Sequence, residues 1–380
     1  NRLANALRDS GVRPGDRVCS LLQNGHAQLE LIFAVAKLGA IFLPINFRLT
    51  VPEIEYIVQD SGARTFFYHA EFRHLAEGLQ HGVHFDKIVY CGRSNSCDDE
   101  DEYEAFLAAA SDEEINATVN ADDVALLMYT SGTTGRPKGA MLTHANHTWN
   151  VFHTTQRLPI HAGTVALGVA PMFHIGGTSV TVLPTLFQGG TVVTLPAFDA
   201  RAVLEATERE RITGLFCVPS MWQMIVDELG TKDYDLSSVE FLMTGAAPTP
   251  LKILKYFQER NLAIYEGFGM TELAPLVSIL DKWDCERKNG SVGYPAFFVD
   301  VRIVDDEDRD VPARAIGEVL CRGPNMLKGY WNKPAATAEA LRGGWYHSGD
   351  LGYLDEEGFL YIVDRKKDMI ISGGENVYPA

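Results

Sequence analysis

Between residues 17 and 265 the sequence switches repeatedly between two periods. Short apolar runs at 17–22, 65–68, 87–90, 125–129, 165–169, 191–195, 214–218, 239–243 and 263–265 have the length of strands. Most are separated by stretches with helical spacing of apolar residues. A strand that reaches its parallel neighbour through a helix implies parallel sheets covered by helices. Residues 27–38 form one such helix, which Gly39 ends in the usual C-terminal way. Thr50, Val51, Pro52 and Glu53 make a capping box with proline in the first turn, so another helix runs to about Asp60. After about residue 290 the pattern changes. Runs at 299–304, 317–322 and 358–363 are strands parted by turns with little helix, which predicts a small, mainly antiparallel sheet or barrel. No internal repeat is visible.

At 380 residues the chain exceeds the size at which one core stops growing, so several subdomains are expected. Its 33 basic and 50 acidic residues leave a formal charge of −17. Such a surface argues against nucleic acid or anionic lipid as a main partner, and any bound phosphate must be held by a local feature. The six cysteines form no CxxC pair and none stands near a histidine at zinc-ligand spacing. They read as reduced thiols, which suits a cytoplasmic protein. Residues 158–198 contain no Asp, Glu, Lys or Arg, but glycines and prolines interrupt the run too often for a spanning helix. A buried core beside an apolar pocket fits better. No signal peptide is visible, and the segment 97–104, with five consecutive acids from Asp98 to Glu102, reads as a solvated loop.

The segment Tyr129, Thr130, Ser131, Gly132, Thr133, Thr134, Gly135, Arg136, Pro137, Lys138, Gly139 carries the strongest chemical signal. It follows an apolar strand. Glycines let the backbone approach a ligand, hydroxyls and N–H groups can surround phosphate oxygens, and Lys138 adds a cation. It is not a Walker loop. Pro137 stands where that motif has its second glycine, and Gly139 follows the lysine in place of Ser or Thr. A flexible turn is the plain alternative for any glycine-rich string.

This string resembles the phosphate loop of the adenylate-forming superfamily, which contains acyl-CoA synthetases, amino-acid adenylation domains and firefly luciferase. Three further segments match that superfamily in the same order: Gly245, Ala246, Ala247, Pro248; then Tyr265 to Glu272; then Tyr346 to Asp350 with Asp364 to Asp368. The resemblance covers nearly the whole chain and is closest to fatty-acyl-CoA and hydroxycinnamoyl-CoA ligases. It implies two parallel-sheet α/β subdomains over 1–275, a small distorted β-barrel over 276–365, and a hinge and stub over 366–380. A mobile C-terminal domain with a lysine that assists adenylation is then expected beyond Ala380.

The resemblance also assigns roles. ATP or AMP is held by Thr130, Ser131, Gly132, Thr133, Thr134, Gly135, Lys138, Gly245, Ala246, Ala247, Glu266, Gly267, Phe268, Gly269, Met270, Thr271, Asp350 and Arg365. Within that set Phe268 stacks on the purine, Asp350 and Arg365 bind the ribose, and Thr271 donates to the α-phosphate. Glu272 holds Mg²⁺, and Lys138, Thr271 and Glu272 carry the chemistry. Lys367 is the hinge. One carboxylate is enough for magnesium when phosphates complete its shell. The implied reaction joins a carboxylic acid to the α-phosphate of ATP, releases pyrophosphate, and passes the acyl group to coenzyme A. A nucleotide-binding module with poor turnover, and a ligase that loads a carrier-protein thiol, are the other readings. The same resemblance allows a homodimer.

The acid is addressed by two segments. In amino-acid adenylation domains an Asp pairs with the substrate ammonium; here His174 stands at that place, in Pro171, Met172, Phe173, His174. An ammonium there would lack a partner in an apolar site, so the acid carries no α-amino group. Val218 and Trp222 resemble the segment with the gate residue of fatty-acid ligases, although Trp222 also suits a helix core. His174, Val218 and Trp222 are therefore assigned to the acyl pocket. A medium- or long-chain fatty acid is the first expectation, and an aryl or hydroxycinnamic acid the alternative.

Overall fold

A computed structural model describes residues 1–92, 102–130, 136–262, 264–365, 370–372 and 375–377, with side chains as far as 363. Two seven-stranded sheets and a smaller antiparallel sheet organise it. The chain is mixed α/β, as the alternation of periods requires.

The first sheet runs Gly329–Tyr330, Lys138–Thr143, Val124–Thr130, Ile41–Pro44, Arg17–Leu21, Thr65–Tyr68, Lys87–Tyr90. Its last five strands pair in parallel, whereas Val124–Thr130 and Lys138–Thr143 form an antiparallel hairpin. The helix Val51–Ser61 begins with the expected reciprocal cap: Glu53 accepts from the Thr50 N–H at 2.7 Å. It stops at Gly62, whose φ of +68° costs a glycine little.

The second sheet runs Tyr294–Pro295, Leu276–Leu280, Ile264–Gly269, Phe241–Thr244, Gly214–Cys217, Val165–Gly168, Thr191–Thr194. Its central strands are parallel, and an antiparallel edge begins where Ile264–Gly269 meets Leu276–Leu280. The uncharged stretch is spread over this sheet's strands and the short helices Ile175–Ser179 and Val182–Phe187. Among the described residues no helix is long and apolar enough to cross a membrane.

The four strands Asp300–Val304, Gly317–Arg322, Tyr346–Leu354 and Leu360–Arg365 pair antiparallel in that order. They make a curled half-barrel. Its apolar face joins a core cluster that also holds Leu126, Met128 and Leu142 of the first sheet and Leu273, Ala274 and Val277 at the edge of the second. All three sheets therefore meet where Val124–Thr130 ends and Ile264–Gly269 turns back.

Candidate active site

Thr130 is the last residue of its strand and lies opposite Lys138, the first residue of the returning strand. The strands on either side of the glycine-rich segment thus pair antiparallel, and the next helix starts only at His144. Ser131, Gly132, Thr133, Thr134 and Gly135 lie outside the described residues. Thr130 Oγ1 donates to Glu272 Oε1 at 3.2 Å. The hydroxyl of Tyr330 donates to the same oxygen at 3.0 Å, and the ring of Tyr330 lies 4.9 Å from Lys138 Nζ. Glu272 Oε2 accepts no hydrogen bond from the described residues. One corner therefore gathers a carboxylate, an ammonium and two hydroxyls from three separate stretches of chain.

The backbone holds that corner firmly. Glu272 is buried in the single 3₁₀ turn Thr271–Leu273. Asn325, fully buried, donates from Nδ2 to Leu273 O at 2.6 Å and to Leu276 O at 2.8 Å. Met270 N donates to Pro275 O at 2.9 Å, closing the loop from the other side. A Cβ on Gly269 would lie 2.2 Å from Pro275 O, so only glycine permits this approach. Phe268, half-buried, precedes it at a bulge in the ladder. Gly245 packs on the same strand, since a Cβ there would come within 2.9 Å of Gly267 O. Ala246 follows with φ +69°, a conformation uncommon for a residue with a Cβ. Gly245, Ala246, Gly267, Phe268, Gly269, Met270 and Thr271 are thereby brought to one strand end, with Ala247 next in the loop.

Glu266 lies in the same strand but in a different setting. It is buried, its Oε1 has no hydrogen-bond partner among the described residues, and burial raises its pKa from 4.5 to about 7. Glu272 has two hydroxyl donors six residues later.

Asp350 is buried in Tyr346–Leu354, and its backbone lies opposite Arg365. A register shift presents it. Ser348 Oγ donates to Val319 O at 2.6 Å, Gly349 N to Glu318 Oε1 at 3.2 Å, and Asp350 N to Ser348 Oγ at 3.0 Å. The Arg365 side chain and Lys367 lie outside the described residues.

His174 precedes the helix Ile175–Ser179 and its ring stands 4.5 Å from that of Phe173. Phe47 meets Phe173 edge-on at 4.7 Å, and the Arg48 guanidinium lies 5.8 Å from the Phe173 ring. Asn24 fixes this segment, donating to Ala170 O at 3.0 Å and accepting from Met172 N at 2.9 Å. The surroundings of His174 are therefore aromatic.

Trp222 lies apart from His174. Neighbouring residues of a strand face opposite sides of a sheet. Phe216 approaches Gly176, on His174's helix, whereas Leu215 lines a cavity of about 20 Å³ with Trp222, Leu242 and Phe257. Trp222 thus stands across the sheet from His174, edge-on to Phe257 at 5.2 Å and 1% exposed. It is a core residue in this structure, and only Val218 remains near the strand end. Of the two readings the sequence offered, gate residue by resemblance or helix core, the position in the helix Pro219–Leu229 agrees with the core.

Tyr330, Asn325 and Asp60 escaped the sequence reading. Asp60 accepts from Tyr129 Oη at 2.7 Å and from Lys333 Nζ at 2.8 Å, pinning the strand just before Thr130. The phenol of Tyr129 is raised above its usual pKa by burial and by Asp60. The available signal was the aromatic pair Tyr330 and Trp331 in an otherwise polar turn.

Among known proteins, residues 1–331 match the family model described as AMP-binding enzyme. The chain is 46% identical to a feruloyl-CoA synthase of an Amycolatopsis species over 379 residues, covering all of this chain and 74% of that protein. It is 36% identical to an indoleacetate–CoA ligase of Aromatoleum aromaticum and 34% identical to the long-chain-fatty-acid–CoA ligase FadD13 of Mycobacterium tuberculosis, again covering all of this chain and 74% of each. The inhibitor-bound N-terminal domain of FACL13 from Mycobacterium tuberculosis superposes with a TM-score of 0.89 at 30% identity, over 96% of this chain and 90% of that one. The o-succinylbenzoate coenzyme A synthetase of Bacillus subtilis, in complex with ATP and magnesium ion, gives 0.84 at 32%, over all of this chain and 75% of that one. The chain belongs to the AMP-binding enzyme family and is an acid–thiol ligase of the acyl-CoA synthetase type.

Proposed function

We propose that this ligase activates an aryl-substituted acid of the hydroxycinnamic type, and not the medium- or long-chain fatty acid that the motifs first suggested. The 46% identity to a feruloyl-CoA synthase along the whole chain carries this reading, against 34% to the long-chain fatty-acid ligase. The setting of His174 agrees. Phe47 and Phe173, edge-on to each other beside the His174 ring, make an aromatic environment that suits an aryl acid, and the Trp222 indole is packed among core side chains.

The residues then divide the work as follows. Phe268 stacks on adenine beside Gly245, Ala246 and Ala247, with Glu266, Gly267, Gly269 and Met270 forming the strand behind. Asp350 and Arg365 take the ribose hydroxyls. Thr130, residues 131–135 and Lys138 hold the phosphates. Glu272 has one oxygen engaged by hydroxyls and, among the described residues, no donor to the other, a carboxylate that would suit Mg²⁺ with phosphate. When bound, Mg²⁺ supplies charge neutralisation. Thr271 donates to the α-phosphate as the acid's carboxylate attacks it, and pyrophosphate leaves. Coenzyme A thiolate then displaces AMP from the acyl carbonyl. Positioning and charge stabilisation dominate such chemistry, which accounts for a site rich in donors and poor in general bases. Lys367 serves as the hinge between the half-reactions, with residues 1–275, 276–365 and 366–380 as the structural units.

The test is acid-dependent pyrophosphate release by the full-length protein with ferulate, 4-coumarate, benzoate, indoleacetate, octanoate and palmitate, followed by thioester detection with coenzyme A. Ferulate or 4-coumarate is expected to give the highest kcat/KM. Preference for palmitate would overturn the aryl reading and restore the fatty-acid one. Acyl-AMP accumulation that only a carrier-protein thiol relieves would change the acceptor.

A further inference from the structure

The Glu272 carboxylate and the Lys138 ammonium share one corner, yet among the described residues neither makes an ion pair. Opposite charges in a half-buried site attract each other, and one side chain touches both. Tyr330 occupies that position. Its hydroxyl donates to Glu272 Oε1 at 3.0 Å, and its ring lies 4.9 Å from Lys138 Nζ. A phenol can bind both at once because its edge carries a donor and its face attracts cations.

The backbone leaves Tyr330 little freedom. Gly329 and Tyr330 form a two-residue edge strand, paired with Met141 and Ala140. Lys328 N donates to Met141 O at 2.9 Å and Trp331 N to Gly139 O at 2.8 Å, one on each side. Tyr330 N donates to Thr337 Oγ1 at 2.9 Å. The side chain is 6% exposed.

We infer that Tyr330 is a positioning residue that keeps the two charges of the triphosphate site apart and open, directing Oε2 of Glu272 to the metal and Lys138 to the phosphates. This rests on the reading of Glu272 as the metal carboxylate. The hydroxyl serves the metal side and the ring serves the lysine, so two substitutions separate them. Tyr330→Phe keeps the ring and removes the hydroxyl, with its bonds to Glu272 and Tyr346; Tyr330→Leu removes the ring as well.

Calorimetry on the full-length protein, without acid, compares MgATP, ATP with EDTA, and AMP. Tyr330→Phe is expected to weaken MgATP about five- to tenfold, the scale of one hydrogen bond to a charged group, and to leave ATP with EDTA and AMP within about twofold. Tyr330→Leu is expected to lose a further several-fold for MgATP, as the bare charges close on each other. Equal losses for MgATP, metal-free ATP and AMP would overturn the proposal, because a merely structural prop does not distinguish the metal. Unchanged MgATP affinity in Tyr330→Phe would overturn it too. If Tyr330→Leu does not fold, Tyr330→Phe decides alone. Glu272→Gln separates the two ideas. If it leaves MgATP binding intact, the metal reading itself fails; if it weakens MgATP while Tyr330→Phe does not, only the role of Tyr330 fails.

Discussion

Two carboxylates six residues apart mark two regions of one site. At the turn, Glu272 accepts hydroxyl donors from Thr130 and Tyr330 and keeps one oxygen clear of protein donors among the described residues. In the strand, Glu266 is equally buried, but its Oε1 finds no donor among the described residues, and its pKa climbs to about 7. Burial alone therefore does not define a metal carboxylate. Donors that favour the charged form stabilise an anion, whereas an undonated carboxyl becomes a proton carrier. The turn supplies two hydroxyl donors to its carboxylate, whereas burial of the strand carboxyl raises its pKa to about 7.

The comparison breaks most readily at the turn. Glu272→Gln is expected to lower kcat/KM for MgATP about a hundredfold, near 3 kcal/mol, while AMP binding measured by calorimetry stays within about twofold. AMP lacks the phosphates that share the metal. Asp350→Ala should cost about ten- to thirtyfold for ATP and AMP alike, since both carry the ribose and each charge-assisted bond is worth about 1.5–3 kcal/mol. If both variants weakened AMP equally, the division between metal and ribose would be lost. Lys138→Ala should weaken MgATP about five- to tenfold with a melting temperature close to the parent's, because Lys138 has no core role; equal affinity by calorimetry would remove it from the site.

The strand end sharpens the contrast with the smallest effect on binding. The folded state raises the Glu266 pKa from 4.5 to about 7, so between those values the native protein holds a proton that the unfolded chain has released. Stability from this group is intact below about pH 4.5, falls as pH rises through the window, and is lost above about 7, by at most about 3 kcal/mol. Glu266→Gln should therefore be more stable than the parent at pH 8 and nearly equal at pH 5, with nucleotide affinity changed less than about threefold. Denaturant melts at the two pH values decide it. A parent stability that is flat from pH 5 to 8 would show that Glu266 has found a donor.

Most of the parallel strands were legible because their signals are local, an apolar run, a cap, a terminal glycine, but Ile41–Pro44 in the middle of the first sheet was not read. The hairpin strand Lys138–Thr143 was not, since small residues and a lysine give it no alternating face. The strand Ile264–Gly269 was cut short by the same reasoning, because its two glycines argue against strand until the approach of Pro275 is known. The motifs carried Glu272 and Asp350 to the site. They could not carry Tyr330, which lies 58 residues beyond Glu272 and reaches it only through edge-strand pairing. For Trp222 the motif left gate and helix core both open, and only the rotation about the helix axis shows which side of the sheet the indole occupies.

That edge strand has a consequence for how the gene can vary. In a strand, side chains change face at every residue, so a slip of one position exchanges inside for outside. Deleting or inserting a single residue between Leu327 and Tyr330 would keep the backbone pairing with Lys138–Thr143 available, yet turn the phenol outward and bring a neighbour into its place. The exposed turn near Asp308 is under no such constraint. Length changes in this enzyme should therefore be tolerated there and excluded from the few residues before Tyr330, whatever amino acids those residues are.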